Sequence, residues 1–255
     1  MARGDDWDII KIRKKNFLTV YGLLTTDYGK IFAVSGRRWA VVAEMIITWY
    51  GHSCFKIITN SLTIIIDPFN KDIGLRPPQG QADIVLVSHD HHDHNNISAI
   101  NGSPFVIKGP GEYEVKGISI VGVESAHDIK KGEERGLNTI YLIESEDIKL
   151  CHFGDFGQDD LTDEQTEAIN EPDIIFVPVG GKYTIGATRA TTMMNSLEPK
   201  IVIPMHYKMP GVKSDIDSVD RFLKEMGAGK KSAVDKLAIK KKTLPEQMEV
   251  VVMKL

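Results

Sequence analysis

Histidine and aspartate are concentrated in one short segment, His89-Asp90-His91-His92-Asp93-His94, which holds four of the chain's eight histidines. The segment follows the apolar run 84–88, so a strand can present it at its carboxyl end. Imidazole and carboxylate together suit zinc and other borderline first-row metals, whereas hard cations take oxygen ligands. A spacing of two puts His89 and His91 on one side of an extended segment. We therefore expect this stretch to serve two metal ions; the alternative is a solvated loop that happens to be rich in histidine.

Four further residues follow or precede apolar runs in a fixed order around this cluster. They are Asp67 after 63–66, His127 in Ser125-Ala126-His127-Asp128, Asp155 after Cys151-His152-Phe153-Gly154, and His206 after 201–205. Together with the cluster they resemble the signature of the metallo-β-lactamase-fold hydrolases, over a span from about Met45 to the C-terminus. The motifs Tyr50-Gly51-His52-Ser53-Cys54 and Pro178-Val179-Gly180-Gly181 are similar to those of the small single-domain members, the predicted metal-dependent hydrolases and the ascorbate-6-phosphate lactonase group.

The resemblance implies an α/β fold, a four-layer αβ/βα sandwich, with a binuclear metal site. The first metal is then expected at His89, His91 and His127. The second is expected at Asp93, His94 and His206, with Asp155 bridging both. Asp93 or Asp155 would position a metal-activated hydroxide or relay its proton. The metals are expected to be zinc, with manganese and iron left open.

The remaining polar residues near these motifs receive weaker assignments. Asp67 is expected to hold a ligand imidazole in one tautomer, the alternative being a turn cap before Pro68. His52 is either a substrate contact at the rim or a turn histidine. His92 and His152 are not expected to be ligands, and His152 either supports a ligand or belongs to the core. Candidate contacts to an anionic substrate group follow the ligand-bearing strands, and simple surface exposure is the alternative: Lys182, Tyr183, Thr184, Tyr207 and Lys208.

Composition is that of an ordinary globular protein, with 255 residues, 42% hydrophobic and 26% charged. A net charge of -4 does not favour nucleic acid or anionic membrane as a partner. There is no apolar run of 18 residues to span a membrane and no secretory segment near Met1. Two cysteines are too few for a disulfide framework. We expect a cytoplasmic protein with a small-molecule substrate, and homo-oligomerisation is left open.

Residues 1–44 differ from the rest, because they carry eight basic residues against five acidic ones without clear periodicity. We expect them to be an extension, disordered or arising from a mis-annotated start at Met1, and 45–255 to be the hydrolase domain. A genuine N-terminal hairpin or partner-binding arm is the alternative. Residues 45–52 are predicted to form the opening strand and turn. Further strands are predicted at 55–58, 62–66, 84–88, 105–108, 118–124, 139–144, 149–153, 174–178, 200–203 and 248–253. Helices are predicted at 96–101, 162–170, 188–197 and 215–226.

The chemistry of two metals favours hydrolysis of a small ester, lactone or phosphodiester. A nuclease of the same fold is a less favoured alternative because the chain is acidic. A non-catalytic metal-binding or sensor protein is the alternative from another class, although every expected ligand is present.

Overall fold

The structure is a computed structural model that describes residues 9–14, 17–22, 44–229 and 232–255. The chain divides into two compact units, Met1–Val42 and Ala43–Leu255. In the first unit, strands β1 (Ile9–Lys14) and β2 (Phe17–Gly22) pair antiparallel. The expectation that 1–44 is an extension rests mostly on residues outside the described ranges, and it stays a prediction.

The second unit contains fifteen strands and three α-helices in its described residues. In chain order, the strands are β3 (Met45–Gly51), β4 (Cys54–Thr59), β5 (Leu62–Ile66), β6 (Gly80–Gln81), β7 (Ile84–Val87), β8 (Ile100–Asn101), β9 (Phe105–Lys108), β10 (Gly111–Val115), β11 (Ile118–Ala126), β12 (Leu137–Ser145), β13 (Ile148–His152), β14 (Ile174–Pro178), β15 (Ile201–Met205), β16 (Leu237–Ile239) and β17 (Glu249–Val250). The helices are α1 (Asp163–Ile169), α2 (Ala187–Leu197) and α3 (Asp220–Glu225), and short 3-10 turns lie at Lys71–Ile73, Ile97–Ala99 and Lys241–Thr243. No helix in these ranges is long and apolar enough to cross a membrane.

Two mixed sheets carry the core. One has the strand order β16-β3-β4-β5-β7-β9, and the other has the order β10-β11-β12-β13-β14-β15-β17. Alternate residues of the first sheet, such as Phe55 and Ile57, join a buried cluster with residues of the second. The rings of Phe55 and Phe176 meet across the two sheets at 4.5 Å between centroids. The predicted sandwich fold is confirmed.

The opposite face of the six-stranded sheet packs against short 3-10 turns and loops. Cys54, Ile65 and Val85 point to this side, where they form a second buried cluster with Phe69 and Ile73. The α-helices of the described residues follow strands of the seven-stranded sheet instead. The layer outside the six-stranded sheet is therefore mainly irregular in these ranges.

Several predicted elements match their sequence signals closely. The turn between β4 and β5 places Asn60 and Ser61 at positive φ, as a tight two-residue hairpin requires. Helix α1 begins with a capping box, in which Thr162 Oγ1 accepts the N–H of Gln165 and the side chain of Gln165 accepts the N–H of Thr162.

Other predicted elements are wrong in kind or length. The helix expected at 96–101 is a 3-10 turn followed by β8. Asn96 donates a side-chain hydrogen bond to the distant carbonyl oxygen of Phe69 and accepts one from Ser98, and β8 pairs with β6. The helix expected at 215–226 is shortened to α3, and the closing strand is shortened to β17. Strand β10 was not predicted, because its exposed edge position needs no apolar alternation.

Tyr141 links the two sheets by hydrogen bonds close to the start of the histidine segment. Its hydroxyl, on β12, donates to the carbonyl oxygen of Val87 at 2.8 Å and accepts the N–H of Gly109 at 3.0 Å. Val87 ends β7 and Gly109 follows β9, so one side chain satisfies backbone groups where two neighbouring strands of the opposite sheet end. Burial raises the pKa of this phenol, so the hydroxyl stays protonated and available to donate.

We expect Tyr141→Phe to lower the free energy of unfolding by about 1–3 kcal/mol, because it leaves a buried carbonyl and a backbone N–H without their partner. Urea unfolding measures the change. Tyr113→Phe is the matched control, because the Tyr113 hydroxyl makes one exposed hydrogen bond, to the carbonyl of Pro110. Its effect should stay within about 0.5 kcal/mol, and equal losses in both variants would contradict the role given to Tyr141.

Candidate metal centre

The candidate ligands follow the carboxyl ends of four buried strands. The segment from His89 to His94 follows β7, His127 follows β11, Asp155 follows β13 after two residues, and His206 follows β15. A rigid strand fixes the position of its last residue, and the loop after it is free to turn a side chain inward. The two sheets bring all four loops to the same edge of the sandwich.

The ligand atoms form two groups, in each of which they lie within 4.8 Å of one another. His89, His91 and His127 make the first group, as the sequence predicts. The second group consists of His52, His94, Asp155 and His206.

Asp155 joins the two groups. Its Oδ2 atom lies 3.3 Å from Nε2 of His94, 3.4 Å from Nε2 of His127 and 3.2 Å from Nε2 of His206. Because His127 belongs to the first group and the other two to the second, this oxygen is placed where the predicted bridging ligand should be.

His52 occupies a place that the sequence did not assign to it. The alternative of a turn histidine is confirmed, because His52 and Ser53 form the turn between β3 and β4. The expected rim position is wrong, because only 3% of the residue is exposed and its ring is tilted against that of His206, at 4.2 Å between centroids. Its Nε2 lies 3.3 Å from Oδ2 of Asp93, while Asp93 stands 4.0 Å from Nε2 of His94. Asp93, the expected ligand of the second metal, therefore lies slightly outside the second group and faces the solvent side.

The structure places the expected substrate contacts in different environments. Tyr183 lines the cavity above the histidines. Tyr207 is buried against Trp49 at 5.2 Å between ring centroids, so its side chain belongs to the core and the expected contact is wrong. Lys182 pairs with Asp215 at 2.8 Å and does not line the cavity.

Two further candidates use their polar atoms locally. Lys208 donates to the carbonyl oxygens of Val212 and Ser214, at 2.7 Å each. Thr184 donates to the carbonyl oxygen of Ile185. Neither side chain is placed to contact a bound molecule.

Asp67 orients two of the candidate ligands. One of its oxygens accepts from Nδ1 of His94 at 2.9 Å and from the hydroxyl of Ser88 at 2.7 Å. That hydroxyl lies 2.9 Å from Nδ1 of His89. Since an ionised carboxylate only accepts, His94 carries a proton on Nδ1, and its Nε2 faces Asp155.

Three buried residues hold Asp155 in place, and of these the sequence pointed to His152 as a possible support for the ligands. Asn138 accepts the N–H of Asp155 at 2.9 Å, and Ser53 donates to its Oδ1 at 3.2 Å. His152 is in turn 2.9 Å from the carbonyl oxygen of Ser53 and accepts the N–H of Gly154. Ser53 lies inside the recognised motif beside His52, whereas nothing in the sequence marks Asn138.

The backbone is strained at the centre itself. His52, Asp67 and His206 adopt positive φ of 54°, 48° and 51°, a region that non-glycine residues seldom occupy. Gly154 also has positive φ, and a Cβ there would collide with Asn138 and Ser88. Such strain persists only where the surroundings over-determine the conformation, which is typical of functional sites.

Burial favours the neutral form of three of these imidazoles. It lowers the pKa of His89 to about 2 and that of His52 to about 4, and it lowers the pKa of His127 as well. For His94, burial works in the same direction, but the carboxylates of Asp155 and Asp67 outweigh it and raise the pKa. Burial alone would raise the pKa of Asp155, but His206 and His94 hold it well below its ordinary range.

The donor set fits metal ions better than it fits an internal hydrogen-bond network. Nε2 of His52, His89 and His94 is buried without a hydrogen-bond partner among the described residues. Buried polar atoms normally find partners, and neutral imidazole with an ionised carboxylate is the state that binds a divalent metal. The residues present therefore suit borderline first-row cations.

A cavity of about 460 Å³ opens above the centre. His91, Asp93, His127, Asp155 and His206 form its metal-facing part. His92 also lines it, with a side chain that is 71% exposed, in agreement with its exclusion from the ligands. The rest of the lining consists of Asp72, Ile73, Arg135, Tyr183, Lys213 and Ser214.

Comparison with known proteins gives matches across most of the second unit. Residues 46–206 match the family model described as the β-lactamase superfamily domain. A metal-dependent hydrolase of Methanopyrus kandleri is 27% identical over 72% of this chain and 93% of its own length, and one of Methanobrevibacter smithii is 31% identical over 71% and 90%. A crystal structure from Thermotoga maritima, provisionally described as a Zn-dependent hydrolase of the metallo-β-lactamase superfamily, is 40% identical, covers 82% of this chain and 98% of that chain, and has a TM-score of 0.69.

We expect the metal-free protein to lose stability as the pH falls from about 6.5 to about 4.5. Histidines of an unfolded chain titrate near 6.5, whereas His89 and His52 stay neutral in the fold, so the unfolded state binds more protons in this window. Each such imidazole changes the free energy of unfolding by about 1.4 kcal/mol per pH unit. The raised pKa of His94 acts only above pH 6.5 and does not enter this window.

Urea unfolding of chelator-treated protein at pH 7, 6 and 5 measures this dependence. His92→Ala should keep the slope of the wild-type chain, because His92 is exposed. A free energy of unfolding that stays level or rises toward pH 5 would contradict the neutral, buried state of these histidines.

Proposed function

The chain belongs to the metallo-β-lactamase superfamily and is a metal-dependent hydrolase, and we propose that it uses two divalent metal ions to hydrolyse a small ester, lactone or phosphodiester. One observation carries the proposal: members of both groups of potential ligands line one cavity, and Asp155 of the second group also approaches His127 of the first. A pair of ions in such sites is typically about 3.5–4 Å apart, and a carboxylate that adjoins both groups is suited to bridge them.

The residues divide into those that hold the ions and those that face the substrate. His89, His91 and His127 would hold one ion, and His94 and His206 the other, with Asp155 between them. When bound, such ions act as Lewis acids and lower the pKa of a water molecule toward about 7. Asp155 is too enclosed to meet a substrate, since Ser53 and three imidazoles already surround its oxygens.

Asp93 is the carboxylate that can act on the nucleophile. It lines the cavity and is 23% exposed, and the His52 imidazole beside it favours its ionised form. Burial would raise its pKa, but His52 and His94 hold the pKa below its ordinary range. Oδ2 faces His52, so Oδ1 is left to accept a hydrogen bond from the attacking water and to orient it.

Zinc is the metal that we propose, with manganese and iron as the competing ions. A set dominated by imidazole with few carboxylates supports this choice, although metal availability weighs as much as affinity. A small molecule is the proposed substrate, supported by a cavity volume that lies in the range of small-molecule sites. A reducing, cytoplasmic setting is also proposed, and it is supported by two buried free thiols, Cys54 and Cys151.

We expect native protein to contain about two equivalents of metal by mass spectrometry. His89→Ala and Asp155→Ala should each lower this content, with Asp155→Ala affecting both positions because its oxygen adjoins both groups. Hydrolysis of a panel of lactones and phosphodiesters should fall by about a hundredfold or more in both variants. Two bound metals with no hydrolysis across the panel would favour a binding or sensor protein instead.

His52→Ala should lose metal preferentially from the second position, to about one equivalent, because its Nε2 lies in the second group and against Asp93. His92→Ala is the matched control, since His92 is a neighbouring but exposed histidine outside both groups. It should retain about two equivalents. Full metal content in His52→Ala would show that this histidine neither ligates nor positions a ligand.

A further inference from the structure

The loop that follows His127 folds around a single buried carboxylate. Asp128 Oδ1 accepts the N–H groups of Lys130 and Gly132 at 2.8 and 3.0 Å, and its Oδ2 accepts those of Glu134 and Arg135 at 3.1 and 2.7 Å. Asp128 is only 3% exposed. Four donors to one side chain fix the main chain of the loop, so Arg135 starts from a set position next to a candidate metal ligand.

The side chain of Arg135 extends from this loop into the wall of the cavity. Its guanidinium carbon lies 5.7 Å from the ring centroid of Tyr183, which also lines the cavity, and such stacking limits the orientations of the planar group. Among residues 44–229 and 232–255 the guanidinium donates no hydrogen bond that meets ordinary distance and angle limits.

Glu134, the acidic neighbour of Arg135, already forms an ion pair with Lys130. Glu134 Oε2 lies 3.7 Å from the guanidinium, but its Oε1 is held by Lys130 at 2.7 Å. The pair with Lys130 is closer, and both of its members are exposed at the surface of the loop. Arg135 therefore keeps most of its donors free for a molecule in the cavity.

A second cation faces the same cavity. Lys213 lines it, and its main chain is anchored by a hydrogen bond from its N–H to the carbonyl oxygen of Ile73 at 3.0 Å. Within the described part of the chain, no carboxylate lies within ion-pair distance of its amine. Apart from the metal-facing residues, Asp72 is the acidic member of the lining, so the substrate-facing wall carries two positive charges against one negative charge.

We propose that Arg135 binds an oxyanion, a carboxylate or a phosphate, that the substrate carries away from the bond that is hydrolysed. Lys213 adds a positive charge to the same cavity, and Asp128 is a positioning residue that acts through the loop. The planar guanidinium can donate two parallel hydrogen bonds to paired oxygens of either anion, whereas the ammonium group of a lysine cannot. This inference rests on the proposed function for its reaction, but binding of the anion can be measured without it.

The test measures binding of non-hydrolysable probes to the metal-loaded protein by calorimetry. Glutarate against glutaramide tests the carboxylate, and propylphosphonate against propanol tests the phosphate, because a C–P bond is not hydrolysed. In the wild-type chain, one or both anions should bind at least about tenfold more tightly than the neutral partner. Arg135→Gln should weaken binding of that anion about ten- to a hundredfold and leave the neutral probe unchanged.

Two control variants distinguish the effect of Arg135 on probe affinity from the effects of the metals and of net charge. Arg189→Gln removes the same charge from an exposed arginine that pairs with Asp159 and lies outside the cavity lining, and it should bind like the wild type. Arg135→Lys keeps the charge without the planar guanidinium and should give intermediate affinity. Attraction of the probe by the metals is common to all variants with equal metal content, so it cancels in the comparison.

Equal anion affinity in the wild type and Arg135→Gln, at equal metal content, would overturn the inference. That result would leave the proposed hydrolysis intact, because the metal centre and its panel of substrates are tested separately. Conversely, anion binding that depends on Arg135 in a protein with no hydrolytic activity would support the inference and count against the proposed function.

Discussion

A carboxylate enclosed among imidazoles is the constraint on which this site depends. Asp155 is 2% exposed, and a buried charge is tolerated only when hydrogen bonds and opposite charges replace water. The fold meets this requirement from several directions, with Ser53 on one oxygen, three imidazoles around the other and Asn138 on the backbone N–H. The loops of both sheets must therefore end where they do, or the charge would be left without partners.

The same requirement explains the local strain around the centre. A histidine that must face inward directly after a strand has little choice of backbone angle, and His206 and His52 accept positive φ to do so. Glycine at 154 serves the same purpose, since the loop of Asp155 passes too close to Asn138 and Ser88 for any side chain. Packing elsewhere in the two-sheet core supplies the stability that these conformations cost.

The resemblance that predicted the fold and the candidate ligands rests on strong local signals in the sequence. Apolar runs that end in His or Asp identify strands and the edge at which they deliver ligands, as for β7 and β15. The sequence did not predict the burial of Tyr207, nor that of the turn residue His52, because burial depends on how distant segments pack. It also gave no weight to Asn138 and Arg135, because their roles come from contacts with Asp155 and with the cavity that no spacing encodes.

The self-contained hydrogen bonding of the Asp128 loop has an evolutionary consequence. Four backbone N–H groups between residues 130 and 135 donate to the carboxylate of Asp128, which begins the loop. The conformation of this segment is therefore stabilised mainly by Asp128 and not by the metal ligands. Substitutions, and even changes of length, within this segment can alter the cavity wall while His127 stays at the end of β11. Descendants of such a chain can therefore diverge in what they recognise while inheriting the same reactive centre unchanged.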